Sequence, residues 1–287
     1  MYLAFDIGGT AIKYAVFNSR AELVKKYDSL DTNLYLKDKS VLCDVIDDVL
    51  KHHSINGIGI SSAGVIDPNM GVVQYAGPTM PGYSLTSFKK EIIDKYQLSC
   101  VVENDVNAAA VGELYSGALK GINSGVMLTL GTGIGGALIL DGKLYRGSSN
   151  TAGEVGYMSL GFQNFQKMAS TRTLVDSVCS FKNEELDGKE VIGLLEKNDK
   201  FVVSSVKQLM SNLAQGIANI NYVFNPETFV LGGGIMESYT ILKPFLDEAL
   251  NDVIGQDVFR QFTVKPAQLG NMAGMVGVVC LLLEEIQ

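Results

Sequence analysis

The chain has 287 residues, room for one large domain or two packed lobes, and a net charge of −8 from 23 Lys and Arg against 31 Asp and Glu. That balance gives no support to a nucleic-acid surface, and 47% hydrophobic with 19% charged residues is an ordinary globular composition. Four scattered cysteines without a Cys-x-x-Cys pair, and adjacent His52 and His53 as the only histidines, argue against disulfides, a zinc cluster and a Ser-His or Cys-His catalytic pair.

No apolar run reaches membrane-spanning length, and Asp6 interrupts the apolar start where a signal peptide would stand. A cytoplasmic protein without membrane or nucleic-acid partners is expected.

Residues 2–7 and 12–18 are predicted strands around the turn Asp6-Ile7-Gly8-Gly9-Thr10, with a third strand at 22–28. Gly-Gly alone would make that turn. It leaves Asp6 and Thr10 to be explained. Residues 40–53 carry Val41, Val45, Ile46, Val49 and Leu50 at helical spacing. A short buried strand follows at 57–64, then a helix over 84–96, a strand at 99–102 and a helix over 104–119.

The pattern then begins again. Residues 125–147 read as two apolar strands around "GTGIGG", with a third at 143–145. Helical periodicity covers 170–180, 188–197 and 201–224, the last ending at Asn225-Pro226. A strand at 228–235 runs into glycines. Then come a helix near 239–254, a strand at 262–267 and a final apolar helix over 271–286. This repeated alternation predicts mixed α/β layers in two lobes of similar plan, with a boundary near residue 118.

Four turns at the carboxyl ends of apolar strands could carry chemistry, because ligands of open α/β sheets bind at that edge. They are "DIGGT" (6–10), "ENDVN" (103–107), "GTGIGG" (131–136) and "LGGGI" (231–235). The third matches a dinucleotide fingerprint in spacing, but a strand follows it where the fingerprint needs a helix. A nicotinamide oxidoreductase is thereby disfavoured. Glycine hairpins can still approach phosphate with backbone N–H groups, and Thr132 adds a hydroxyl. In "ENDVN", Asn104 and Asp105 have two readings: a helix N-cap, or a carboxylate that takes a proton from an attacking hydroxyl.

"FDIGGTAIKYAVF", "VENDVNAAAVGE", "LTLGTGIGGALILDGKLYRG", "TAGEVGYM" and "FVLGGGI" occur in an order and spacing that resemble the ROK family. That family groups bacterial sugar kinases with sugar-responsive repressors in the actin-like ATPase superfamily. The resemblance covers nearly the whole chain. It implies an α/β fold of two actin-like (ribonuclease H-like) lobes with sugar and ATP in the cleft between them. The N-terminal, sugar-side lobe would be 1–118, joined by the C-terminal helix 271–287, and the ATP-side lobe 119–270.

Carried over by position, Asp105 resembles the family's catalytic base and Asp6 the carboxylate that orients magnesium through water. Gly8, Gly9, Thr10, Thr132 and Gly133 look like phosphate-contacting groups, and Gly232, Gly233 and Gly234 like the turn that passes the adenosine. Asn104 and Glu154 resemble sugar-hydroxyl partners, and Gly64 the residue under the sugar ring.

The departures also carry information. Most ROK kinases have His after "GE-x-G" and then a cysteine-rich zinc loop. Here Tyr157 stands in that place, next to Glu154, and "SLGFQNFQKMAS" follows without Cys or His. No zinc site is expected, and the family's second Glu contact to sugar has no evident counterpart. Tyr157 is read as a sugar contact. "DIGGT" begins at residue 6, so no DNA-reading domain is expected before it.

The resemblance thus implies an ATP- and magnesium-dependent sugar kinase that works as a homodimer. A minor ROK branch with a similar "GE-x-GYM" stretch phosphorylates β-glucosides such as cellobiose at the 6-hydroxyl. That is the expected activity, with glucokinase or N-acetylmannosamine kinase as alternatives. A non-catalytic sugar sensor on the same fold is the rival of another class.

Overall fold

Five of the six residues of the strand Tyr2–Ile7 are buried, and the sixth is Asp6. A strand apolar on both faces belongs inside a sheet covered by helices. In the computed structural model, which describes residues 1–77 and 80–286, Tyr2–Ile7 is central in its sheet. Pro78, Thr79 and Gln287, which fall within the expected lobes, lie outside the described residues. The order is Leu23–Lys26, Ala11–Phe17, Tyr2–Ile7, Gly57–Ser62 and Ser99–Asn104, and Leu30–Asp31 also pairs with Ala11–Phe17.

Tyr2–Ile7 is antiparallel to Ala11–Phe17 and parallel to Gly57–Ser62, which is parallel to Ser99–Asn104. Parallel pairing collects three carboxyl ends at one edge. The register aligns Asp6 with Ser61 and Glu103, and Ile7 with Ser62 and Asn104.

The chain divides into two compact units. Unit 1 holds Met1–Lys120, Gly147–Thr151 and the segment from Asn271 onward; unit 2 holds Gly121–Arg146 and Ala152–Gly270. Residues 147–151, which the sequence reading kept with the second lobe, belong to unit 1.

In unit 1 the core is built from Leu3, Phe5, Ile58, Ile60 and Val102 of the sheet with Ile46, Val49 and Phe88 of the helices. The C-terminal helix, Ala273–Ile286, returns to pack on the helix Asp105–Ser116. The two meet backbone to backbone: a Cβ on Gly277 would strike the Ala108 carbonyl, and one on Gly112 the Ala273 carbonyl.

Unit 2 has its own sheet, in the order Lys143–Tyr145, Ile134–Leu140, Gly125–Leu130, Thr228–Gly232 and Thr263–Pro266. Its directions repeat those of unit 1, with Gly125–Leu130 antiparallel to Ile134–Leu140 and parallel to Thr228–Gly232. The helix Lys200–Phe224 buries Val206, Leu209, Met210, Leu213, Ile217 and Ile220 along one stripe. Asp199 caps its start, and Asn225 ends it in the left-handed region at φ 49°.

Several boundaries differ from the sequence reading. The helix expected from 84 begins at Phe88, because Leu85 sits at φ 67°. The strand expected over 228–235 stops at Gly232, because Gly233 turns the chain at φ 98°. The strand from Ser99 runs on to Asn104, so the following helix starts at Asp105. Four elements carry no local signal long enough to read: the helix Thr32–Lys37, the hairpin Val65–Asp67 with Val72–Tyr75, the hairpin Ser159–Leu160 with Gln163–Asn164, and the helix Phe165–Ala169.

Candidate active site

The carboxyl edge of the unit 1 sheet gathers Asp6, Gly64, Asn104 and Asp105. Asp6 is partly shielded, its side chain 22% exposed; its Oδ1 accepts a hydrogen bond from Ser61 Oγ at 2.8 Å and its Oδ2 lies 3.7 Å from Lys13 Nζ. The glycine turn after it is braced from outside. Thr32 Oγ1 donates to the Gly8 carbonyl at 2.7 Å and the Thr32 N–H to the Thr10 carbonyl at 3.1 Å. Gly9 and Thr10 are exposed at the tip.

Asn104 and Asp105 take different places at the helix start. Asn104 is the N-cap: its Oδ1 accepts the Val106 N–H at 2.9 Å and the Asn107 N–H at 3.0 Å. Its Nδ2 donates to the Gly64 carbonyl at 2.9 Å and to Asp105 Oδ1 at 3.0 Å. Those four bonds are the full capacity of a primary amide. Asp105 is the first helical residue, and its Oδ1 also accepts the Val106 N–H at 2.9 Å.

Behind them, buried Glu103 accepts the Asn104 N–H at 2.9 Å and Asn107 Nδ2 at 3.1 Å, which pins the turn to the sheet. Gly64 is held at φ 100°, and a Cβ there would strike the Tyr75 carbonyl.

Sequence reasoning missed two further groups at this edge. Tyr83 is fully buried, and its hydroxyl shares a 2.7 Å hydrogen bond with Ser62 Oγ. Burial first, and then the nearby charges of Asp105 and Asp6, raise the Tyr83 pKa, while the Ser62 bond works the other way. Both carboxylates are therefore close enough for one phenol to feel them. The two serines ending "GIGISS" were a legible sign, since hydroxyls are out of place in a buried strand. Tyr83 gives no local sign.

Unit 2 contains a cavity of about 460 Å³, within the usual range of small-molecule sites. Thr132 and Gly234 line it, together with Arg172, Val175, Ile192 and Ile235. Gly133, Gly232 and Gly233 do not line it and instead shape the turns beside it. The Gly131 turn is tied to the helix Thr171–Lys182: the Arg172 N–H donates to the Gly131 carbonyl at 3.1 Å and Thr171 Oγ1 to the Leu130 carbonyl at 3.0 Å. The cavity walls draw on both this helix and Gly188–Glu196, where apolar Val175 and Ile192 stand beside Arg172 and Lys189. From sequence alone Val175 and Ile192 belong to ordinary core stripes.

Glu154 and Tyr157 also belong to unit 2, around the short 3₁₀ turn Val155–Tyr157. Glu154 is half-buried, and desolvation raises its pKa. Tyr157 is 61% exposed. The hairpin that follows carries Phe162, fully exposed, at its tip.

The donor set at Asp6, one carboxylate beside a hydroxyl and an exposed turn, suits magnesium, which keeps several waters and takes one or two carboxylates plus phosphate. Among the described residues no group of three or more His, Cys, Asp or Glu is placed to hold a metal ion by itself, and no helix is long and apolar enough to cross a membrane.

The model of the ROK family matches residues 2–285. An uncharacterized protein of Clostridium perfringens is 42% identical over 96% of each chain, and the glucokinase of Halalkalibacterium halodurans is 29% identical over 96% of this chain and 93% of its own. The beta-glucoside kinase of Listeria monocytogenes is 25% identical over 98% and 97%. Among solved structures, the Streptomyces griseus ROK glucokinase in complex with glucose and AMPPNP superposes with a TM-score of 0.84 at 26% identity, covering 98% of both chains. With a family model spanning nearly every residue, and turns built as described, this chain belongs to the ROK family.

Proposed function

We propose that this chain transfers the terminal phosphoryl group of ATP to a sugar hydroxyl, with Asp105 as the proton acceptor. The observation that carries the reading is the seating of Asp105. Its carboxyl is oriented by Asn104 Nδ2 and the Val106 N–H, at the same sheet edge as Asp6. A general base needs that kind of fixed geometry. As the sugar oxygen attacks the γ-phosphorus, Asp105 takes its proton, the bond from phosphorus to the ADP oxygen breaks, and ADP leaves.

The other residues support that step. Asp6 would hold magnesium through water, and the ion when bound offsets phosphate charge. Gly8, Gly9 and Thr10 contact phosphate. The unit 2 cavity takes the nucleoside, with Thr132 and Gly234 on its wall. Glu154 and Tyr157 contact the sugar, and Gly64 lies under its ring. Asn104, whose amide is saturated within unit 1, acts by orienting Asp105.

For the acceptor we propose a β-glucoside such as cellobiose, phosphorylated at the 6-hydroxyl. Exposed Tyr157 supports this, since an aromatic face suits a second sugar ring, and a short hairpin stands where most ROK kinases carry a zinc loop. Glucose and N-acetylmannosamine are the alternatives. The experiment is an ADP-coupled comparison of kcat/KM for the three, because specificity lives in that ratio. Cellobiose is expected to lead. Either monosaccharide ahead by about tenfold would overturn the acceptor assignment and leave the kinase reading in place.

A further inference from the structure

The C-terminal helix Ala273–Ile286 lies along one face of the strand Gly57–Ser62, and their packing changes at its last step. A Cβ on Gly57 would meet the Leu282 side chain at 3.0 Å, and one on Gly59 the Val278 side chain at 2.8 Å. Strand residues return to one face at every second position, and helix residues at about every fourth, so Ser61 and Gly274 are the next pair. There the sizes are reversed. The strand carries the side chain and the helix the glycine, whose Cβ would stand 2.7 Å from Ser61 Oγ and 3.3 Å from Asp6 Oδ1. A third strand glycine under a large helix residue would satisfy packing alone. The reversal instead makes room for a hydroxyl beside Asp6.

We propose that Ser61 is a positioning residue for Asp6, holding one carboxylate oxygen inward and leaving the other to the hydrated magnesium of a bound nucleotide. The inference rests on the kinase reading. Ser61 is fully buried and is the direct neighbour of Asp6 across the parallel pair. Its Oγ donates to Asp6 Oδ1 at 2.8 Å, a bond strengthened by the charge of its acceptor. Oδ1 is thereby held between this hydroxyl and the backbone at Gly274. Oδ2 lies on the other side, 3.7 Å from Lys13 Nζ, where the Lys13 side chain is still 33% exposed. Without the Ser61 bond, other staggered positions of the Asp6 side chain open, and the outward oxygen loses its fixed place. Outer groups that orient a carboxylate in this way govern metal affinity without touching the ion.

The test is calorimetric titration of the full-length protein and its Ser61→Ala and Gly274→Ala variants. Each is titrated with ATP and magnesium, with ATP and EDTA, and with adenosine. Magnesium is expected to tighten ATP binding by wild type. Ser61→Ala should lose most of that gain, on the order of tenfold. Its affinities for adenosine and for magnesium-free ATP should stay within about twofold of wild type, which also shows that it folds. Gly274→Ala, whose methyl displaces the Ser61 hydroxyl, should give the same loss.

A magnesium gain equal to that of wild type in either variant would overturn the proposal. So would a loss of ATP affinity that is as large without the ion as with it. Wild-type protein that binds ATP equally well with and without magnesium would remove Asp6 from the metal, and this role of Ser61 with it. Wild-type protein that binds no ATP would remove the nucleotide reading itself.

Discussion

Asn104 Nδ2 donates to Asp105 Oδ1 at 3.0 Å, so the residue that caps a helix also orients the carboxylate that begins it. The same amide nitrogen reaches the Gly64 carbonyl at 2.9 Å and ties both to the loop after Gly57–Ser62. The cap of the helix and the orientation of its first carboxylate thus rest on one side chain.

Asn104→Ala tests that union. Loss of the cap should cost about 1 kcal/mol of stability, visible as a lower urea midpoint. Freed from its orienting partner, Asp105 should also lose efficiency, with kcat falling more than KM changes. A variant with wild-type kcat would show that the cap matters only for folding.

Gly64→Ala forces a side chain into the left-handed region and against the Tyr75 carbonyl. The expected cost is about 1–3 kcal/mol for the backbone conformation alone, read as a drop in Tm. A melting curve that superposes on wild type would mean that this turn relaxes without strain.

Glu154 should leave a pH signature. Desolvation raises its pKa, so folding favours the neutral form. Its contribution to stability is complete below the unfolded value of about 4.3 and is lost as pH rises through the folded value. Glu154→Gln, neutral throughout, should therefore be more stable than wild type near neutral pH, and the gap should close as pH falls to about 4. Thermal melts of both proteins across that range decide it. A gap of constant size would place its cause elsewhere.

Metal analysis gives a further check. The segment 157–170 offers no Cys or His, and tetrahedral zinc needs such ligands. Protein purified without chelator is expected to contain no stoichiometric zinc. About one zinc per chain would contradict this.

What the sequence made legible was local. Asp6 to Thr10 could be read because two apolar runs bracket polar residues that a plain turn does not need. Which of Asn104 and Asp105 caps the helix could not be read, since either residue caps a helix well. That choice follows from where the strand Ser99–Asn104 ends, which its pairing with Gly57–Ser62 sets. Tyr83 meets Ser62 across 21 residues, a contact that no periodicity announces. Leu85 at φ 67° breaks an otherwise amphipathic pattern for tertiary reasons. The cavity in unit 2 stayed hidden because Val175 and Ile192 read as core.

The central claim, sugar phosphorylation with Asp105 as base, is tested most directly by sugar-dependent ADP release in wild type and Asp105→Asn, across hexoses, amino sugars and β-linked disaccharides. The account predicts that at least one sugar releases ADP with the wild-type enzyme. It also predicts that Asp105→Asn lowers that turnover by on the order of a hundredfold or more while sugar binding by titration persists. No sugar-dependent ADP across the whole panel, or a variant within a few-fold of wild type, would contradict it.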